Sequence, residues 1–180
     1  MNDENRTKVI TGPRCRLSYF YGWEPSATLS GTPKYSTSVL IPKDDVETIN
    51  DINNAIDAAI EEGIGKFGGK IPKRSMIKIP LRDGDTEKDD PAYEGHYFLS
   101  ANSLLKPEIV DKNVKPILDR SEVYSGVYAR VSLNFYAFNH NGNKGIACGL
   151  GNIQKIRDGE PFSGKPSAFN EFAPIKEGFS

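Results

Sequence analysis

Between Val127 and Phe138 the sequence alternates without a break. The odd positions, Val127, Ala129, Val131, Leu133, Phe135 and Ala137, are apolar and uncharged. The even positions, Tyr128, Arg130, Ser132, Asn134, Tyr136 and Phe138, mix rings, a guanidinium and short polar groups. Successive side chains on a strand point to opposite faces, so this spacing predicts a long strand with one core face. A helix repeats near 3.6 residues and would scatter the apolar set around its surface, so the segment commits the chain to β architecture. Asn141-Gly142 follows, and after it KGIACGLGNIQKI is again β-rich; Asn-Gly between two such runs predicts a hairpin. The even face differs from an ordinary solvated face, which would carry Lys, Glu, Thr and Ser. Two readings of its rings stay open: a second sheet covers them, or they form a stacking platform for flat ligands.

The rest of the chain supplies further strands and one helix. Residues 14–23, RCRLSYFYGW, place Cys15, Leu17, Tyr19, Tyr21 and Trp23 on one face and Arg14, Arg16, Ser18 and Phe20 on the other. The turn-rich EPSATLSGTP separates this strand from KYSTSVLIP, which ends at Pro42. From Asp44 to Phe67, Val46, Ile49, Ile52, Ile56, Ile60 and Ile64 recur every three or four residues, which predicts a helix. Asp44 is its expected N-cap, with Glu47 three residues on. MIKIPL (76–81) reads as a short edge strand, YFLSANSLLKP (97–107) as a further strand, and EIVDKNVKPILDR as loop or short turns. Past Arg157 there are three prolines, few aliphatics and no periodicity. The expectation is therefore an all-β fold with one inserted helix. Its leading candidate is an OB-fold-like Greek-key barrel with extra strands, flanked by an N-terminal arm (1–13) and a C-terminal arm (158–180) around a domain at 14–157.

A length of 180 residues suits one such domain and buries a substantial core without staples. Cys15 and Cys148 form no CxxC pair, the amino end has no apolar signal-like run, and no stretch is long and apolar enough for a membrane helix. A cytoplasmic chain with reduced thiols is expected. The net charge of −1 speaks against a simple basic nucleic-acid binder, but its distribution does not. Residues 44–66 carry a net −6 and residues 83–94 a net −5, which leaves +10 for the remainder. A polyanion responds to that local field and not to the total.

Chemical motifs are weak. Asp83, Asp85, Glu87, Asp89 and Glu94 fall at positions 1, 3, 5, 7 and 12 of a calcium-loop window, but position 6 is Lys88 where the turn needs Gly. A solvated acidic loop is the default; its alternative is a magnesium site of a nucleic-acid enzyme built on Asp83 and Asp85. Gly159 to Lys165 matches GxxxxGK, but Pro166 replaces the metal-binding hydroxyl. His96 and His140 sit in no readable constellation, and both cysteines lie in strand patterns. No catalytic residue, metal or cofactor is assigned.

One combination recurs: cation plus aromatic on the non-core side of strands. It appears at Arg14, Arg16 and Phe20, at Lys34 and Tyr35, and at Tyr128, Arg130, Tyr136 and Phe138, with Arg120 and Tyr124 just upstream. Lys73 and Arg74 in the basic loop and Lys106 complete the candidate set. Single-stranded DNA needs this mix, because bases stack on rings while Lys and Arg follow the phosphates. A protein-interaction scaffold using the same rings is the other binding alternative.

The blocks YSGVYARVSLNFYAF and GNKGIACGL, within residues 122–164, resemble the phage-encoded single-stranded DNA-binding proteins related to the replication binding protein of T-odd coliphages. RLSYFYGWEP, KYSTSVLIPKDD, PLRDGD and FLSANSLLKPEIVD resemble further blocks in the same order. The resemblance spans most of residues 14–165. It implies an OB-fold and sequence-independent binding of single-stranded DNA in replication and recombination. It also implies a homodimer in the bacterial host cytoplasm, with replication polymerase and helicase as partners. It carries a DNA-binding role onto Tyr128, Arg130, Tyr136 and Phe138. The carboxyl end, NEFAPIKEGFS, departs from the acidic tail of that family: Glu171 and Glu177 stand against Lys176.

Overall fold

The predicted hairpin organises the structure, a computed structural model that describes residues 5–27, 31–162 and 172–175. Its arms are β7 (Tyr128–His140) and β8 (Asn143–Arg157), antiparallel from His140 opposite Asn143 to Tyr128 opposite Arg157. Asn141 (φ 54°) and Gly142 (φ 88°) both adopt the left-handed conformation, as a type I′ turn demands, and Gly142 donates its N–H to Asn139 Oδ1 at 3.0 Å. Along β7 every odd position from Ala129 to Ala137 is buried, and Val127 just ahead of the strand is buried too.

The remaining strands are β1 (Lys8–Ile10), β2 (Arg16–Ser26), β3 (Lys34–Pro42), β4 (Arg82–Asp83), β5 (His96–Ser103) and β6 (Ile109–Val110). All join one sheet in the order β1-β7-β2-β3-β5-β8-β6, with β4 beside β5. Because β7 also pairs with β8, the pairings from β7 through β2, β3, β5 and β8 return to β7. The β5–β8 contact is parallel, at Asn102 opposite Gly149. The face turned inward holds Cys15, Leu17, Val39, Ile41, Leu99, Ala101, Val131, Leu133, Phe135 and Ile153 in a single cluster. Full burial of each larger side chain contributes roughly 1.5–3 kcal/mol.

Helix α1 (Val46–Glu62) packs on β7 and β1 through Ile52, Ile56 and Ile60, with Ala55 and Ala59 allowing close approach. Its N-cap is Asp45, one residue later than expected, which accepts from Thr48 N at 3.3 Å. Asp44 instead pairs with Arg14. The stripe also frays at its ends: Val46 and Ile64 are exposed, because the helix closes at Gly63 and a 3-10 turn (Ile64–Phe67) follows. Apart from α1, the described residues hold only one-turn helical pieces, including α2 (Gly84–Glu87). No helix among them is long and apolar enough to cross a membrane.

Several local expectations are corrected. Lys8–Ile10, assigned to an arm, pairs with Ser132–Asn134 of β7. MIKIPL forms no strand; Arg74–Met76 is a 3-10 turn and Lys78 makes one isolated bridge to Gly145. EIVDKNVKPILDR contains β6, parallel to β8. The largest correction is in β2. Tyr19 has φ +47°, and the register with β3 slips between Ser18 and Tyr21. The extra residue inverts the alternation. Tyr19 and Tyr21, expected on the core face, are 58% and 46% exposed, while Phe20 turns to the core edge beside Trp23. Residues 163–171 and 176–180 of the expected C-terminal arm lie outside the described residues.

Candidate nucleic-acid interface

Residues opposite one another on adjacent strands project to the same face. On the outer face this rule builds one row across six strands. Tyr21 (β2) lies opposite Ser36 (β3), Ser36 opposite Asn102 (β5), Asn102 opposite Gly149 (β8), Gly149 opposite Asn134 (β7), and Asn134 opposite Lys8 (β1). At about 4.8 Å per strand the row runs roughly 24 Å. Its floor is short and polar, so a flat group can approach the backbone. A groove of about 800 Å³ opens over its β5–β8–β7–β1 part, with Lys8, Lys34, Asn102, Asn134, Tyr136 and Gly149 among its walls. Tyr136 is 44% exposed, and a Cβ on Gly149 would meet its ring edge at 3.7 Å. Ile10, Leu104 and Leu105, all exposed, form an apolar margin.

The predicted residues divide by location. Lys34 and Tyr136 line the groove. Phe138, two positions further along β7, stacks on His140 with centroids 6.0 Å apart. Arg16, Tyr124 and Tyr128 lie together where β2 meets β7, beneath residues 158–162. Arg16 donates to Gly126 O (2.8 Å) and Glu160 O (2.9 Å) and stacks under Phe162 at 4.3 Å. The Tyr128 ring is flanked by the guanidinium carbons of Arg16 at 4.7 Å and Arg157 at 3.8 Å. The Tyr124 hydroxyl donates to Gly159 O at 2.9 Å, and its partial burial raises its pKa. Arg130 donates to Thr11 O at 3.0 Å.

Three predicted cations are engaged by carboxylates: Arg14 by Asp44, Arg74 by Asp57, and Arg120 by Glu24. Arg74 also reaches Asn53, which ties the basic loop to α1. Phe20 and Tyr35 pack against the core, Lys106 lies over the Trp23 ring at 5.8 Å, and Lys73 is exposed. Tyr19, Tyr21, Lys8 and Arg157 escaped the sequence reading. The bulge that exposes the two tyrosines leaves no mark on composition or period; for Lys8 the signal was the short alternation KVI.

The acidic loop serves a different purpose. Lys43 Nζ sits between Asp83 Oδ1 (2.8 Å) and Asp85 Oδ2 (2.7 Å). The ammonium group holds both carboxyls below their ordinary range, and its own pKa is raised in return. Asp85 also accepts from Gly95 N, and Asp83 from Asp85 N. Among the described residues no cluster of three or more His, Cys, Asp or Glu could hold a metal. Both cysteines are free and buried; burial pushes the Cys15 thiol up to about 12 and the Cys148 thiol higher still. Neither has the thiolate character of a nucleophile.

Comparison with known proteins bears on this face. Protein p50 of Acyrthosiphon pisum secondary endosymbiont phage 1 is 34% identical over 158 residues, covering 83% of each chain. The single-stranded DNA-binding protein of bacteriophage Enc34, in a C-terminally truncated form, superposes with a TM-score of 0.75 at 25% identity, over 87% of this chain and 89% of that one. The same phage protein in complex with single-stranded DNA gives 0.75 at 24% identity, over 87% and 90%. The fold extends to gp2.5, a single-stranded DNA-binding protein encoded by bacteriophage T7, with a TM-score of 0.63 at 12% identity over 91% and 98%. A family model described as the ssDNA-binding protein of Enterobacter phage Enc34 matches residues 7–179, and the chain belongs to that phage single-stranded DNA-binding family.

Proposed function

We propose that this protein binds single-stranded DNA without reading its sequence and serves phage DNA replication and recombination in the bacterial host cytoplasm. The observation that carries the reading is the outer row itself. Short polar residues floor a groove whose sides offer an open ring, Tyr136, and the ammonium groups of Lys8 and Lys34. Neither lysine has a carboxylate partner among the described residues. Rings accept any base, because every base presents a flat π-face and stacking does not depend on which base it is. Duplex DNA keeps its base faces stacked and would leave the rings unused.

The cyclic pairing β7–β2–β3–β5–β8, with its parallel β5–β8 contact, supports reading the sheet as a closed five-stranded OB-type barrel. In this reading β1, β4 and β6 are additions, and α1 is inserted between the second and third barrel strands. No catalytic step is assigned: Lys43 already occupies the carboxylates that a metal-dependent enzyme would need. A homodimer and contacts with replication polymerase and helicase belong to the same proposal.

Fluorescence anisotropy with labelled single-stranded and duplex oligonucleotides at two salt concentrations tests it. The expected result is a clear preference for the single strand. Log affinity should fall against log salt with a slope of about 0.7 per phosphate contact. Equal affinity for both forms, or no binding at low salt, overturns the proposal.

A further inference from the structure

The outer face carries a second basic-aromatic station, on the β2–β3–β5 side of the groove. Lys88 leaves the acidic segment and takes no carboxylate among the described residues, although acids surround it in sequence. Four of the six acids of that segment are engaged elsewhere: Asp83 and Asp85 with Lys43, Glu87 with Arg82, and Asp90 as the cap of the turn Pro91–Tyr93; the adjacent Asp89 is exposed to solvent. Lys88 Nζ instead lies 5.6 Å from the centre of the Tyr19 ring, 5.4 Å from Tyr93 and 5.5 Å from Phe98. A cation held against rings keeps its full charge, and its outward N–H groups stay available.

The three rings differ in a telling way. Tyr93 and Phe98 are buried with Leu40 as a small cluster on the outer face of β3 and β5. Tyr93 donates its hydroxyl to Ser18 Oγ at 3.1 Å. Tyr19 is the open member, and it is open because of the bulge. A tyrosine at φ +47° is a conformation that an L side chain rarely adopts, and such strain gathers at binding sites. A regular strand would have turned this ring inward. Beside it Ser18 lies opposite Ser38, and Ser38 opposite Ser100, with the two hydroxyls of the latter pair 3.4 Å apart. This serine row runs parallel to the Tyr21–Ser36–Asn102 row, two residues along β3 and β5, but Ser18 and Ser38 are buried, so the Tyr21 row is the one that carries the open floor on to β2.

We propose that Tyr19 and Lys88 form a nucleotide subsite in which one unpaired base stacks on the Tyr19 ring and an adjacent phosphate contacts the Lys88 ammonium. This extends the DNA path from the groove across β5 and β3 to β2. The inference rests on the binding function proposed above, and its test separates the two.

The experiment compares the full chain with Tyr19→Ala, Lys88→Gln, Lys88→Arg and Tyr136→Ala, titrating oligothymidine of about 16 nucleotides, the upper range for one such fold. Each protein is also melted. Tyr19→Ala should weaken binding at least about fivefold and leave the melting temperature unchanged, because its ring is mostly in solvent. Lys88→Gln should weaken binding and reduce the salt slope by about 0.7, while Lys88→Arg keeps the slope. If Lys88→Gln melts earlier but keeps the wild-type affinity and slope, Lys88 is only a clip for its loop and the subsite is refuted. The same holds if Tyr19→Ala binds normally while Tyr136→Ala fails. A wild-type chain that binds no oligothymidine refutes the function itself.

Discussion

Tyr128 and Tyr136 sit on the same face of β7, yet the structure assigns them opposite consequences on truncation. Tyr136 is 44% exposed in the groove, with its ring edge over Gly149. Its loss should leave folding almost untouched and remove one stacking surface, worth about 1–3 kcal/mol, or roughly 5- to 150-fold in affinity. Tyr128 is half-buried between two guanidinium groups, at 4.7 and 3.8 Å. Truncating it forfeits about half the area of an aromatic side chain, near 100 Å², or about 2.5 kcal/mol. Two cation–π contacts add about 0.5–1 kcal/mol each. The sum of about 4 kcal/mol corresponds to a melting temperature lowered by roughly 8–16 °C in a chain of this size. Thermal melts and anisotropy titrations on Tyr128→Ala and Tyr136→Ala read both quantities. The reasoning fails if Tyr136→Ala binds like wild type. It fails equally if Tyr128→Ala keeps its stability and loses more affinity than Tyr136→Ala, because DNA would then reach the ring under residues 158–162.

Other substitutions probe the frame around that face. Gly126 has φ +117°, and a Cβ there would collide with the Glu160 carbonyl oxygen; Gly126→Ala should therefore release residues 158–162, seen as new protease cleavage near Asp158. Phe135 is 1% exposed, so Phe135→Ala should cost about 3–5 kcal/mol in denaturant unfolding without altering the groove's chemistry. Asp83 and Asp85 have carboxyls held below the ordinary 3.8 by Lys43. Their contribution to stability is complete above that value and disappears as pH falls through the lowered ones. Lys43→Met should thus flatten the acid limb of a stability–pH curve below about 3.8, and an unchanged limb would show that the pair contributes nothing.

What could be read from sequence follows from how local each cause is. The alternation of β7, the Asn-Gly turn and the isoleucine stripe of α1 are written in neighbouring residues, and all three appear in the structure. The bulge at Tyr19 is set by how β2 must turn between β7 and β3, which no window around Tyr19 reveals. Arg16 and Tyr128 looked like an open cation–ring pair because the strand pattern alone cannot show Glu160 and Phe162 folding back over them. Arg14, Arg74 and Arg120 looked free for the same reason: their carboxylates lie 30, 17 and 96 residues away. In the sequence Lys88 stands out only as the residue that spoils a calcium loop; its ring partners lie on β2, on β5 and in the turn Pro91–Tyr93, which local spacing does not connect.

The same pairing resolves how a chain of net charge −1 presents a surface fit for a polyanion. Acids are not removed; they are placed. On α1, Asp57 and Glu61 are tied to Arg74 and Arg6, and Glu47, Asp51 and Glu62 face solvent on the helix. The second acidic segment is neutralised in part by Lys43 and Arg82. By contrast Lys8, Lys34, Lys88, Arg130 and Arg157, on or beside the outer strand face, have no carboxylate partner among the described residues. Screening over about 8–10 Å confines each of these fields to its own side of the molecule at physiological salt. A strand approaching the outer face therefore meets uncompensated cations, while the helix side repels it. Charge reversal at Glu47 and Asp51 should then leave affinity at physiological salt nearly unchanged, whereas neutralising Lys8 and Lys34 together should lower it several-fold and reduce the salt slope by about 1.4. Equal effects from the two pairs would mean that net charge, and not its placement, governs binding.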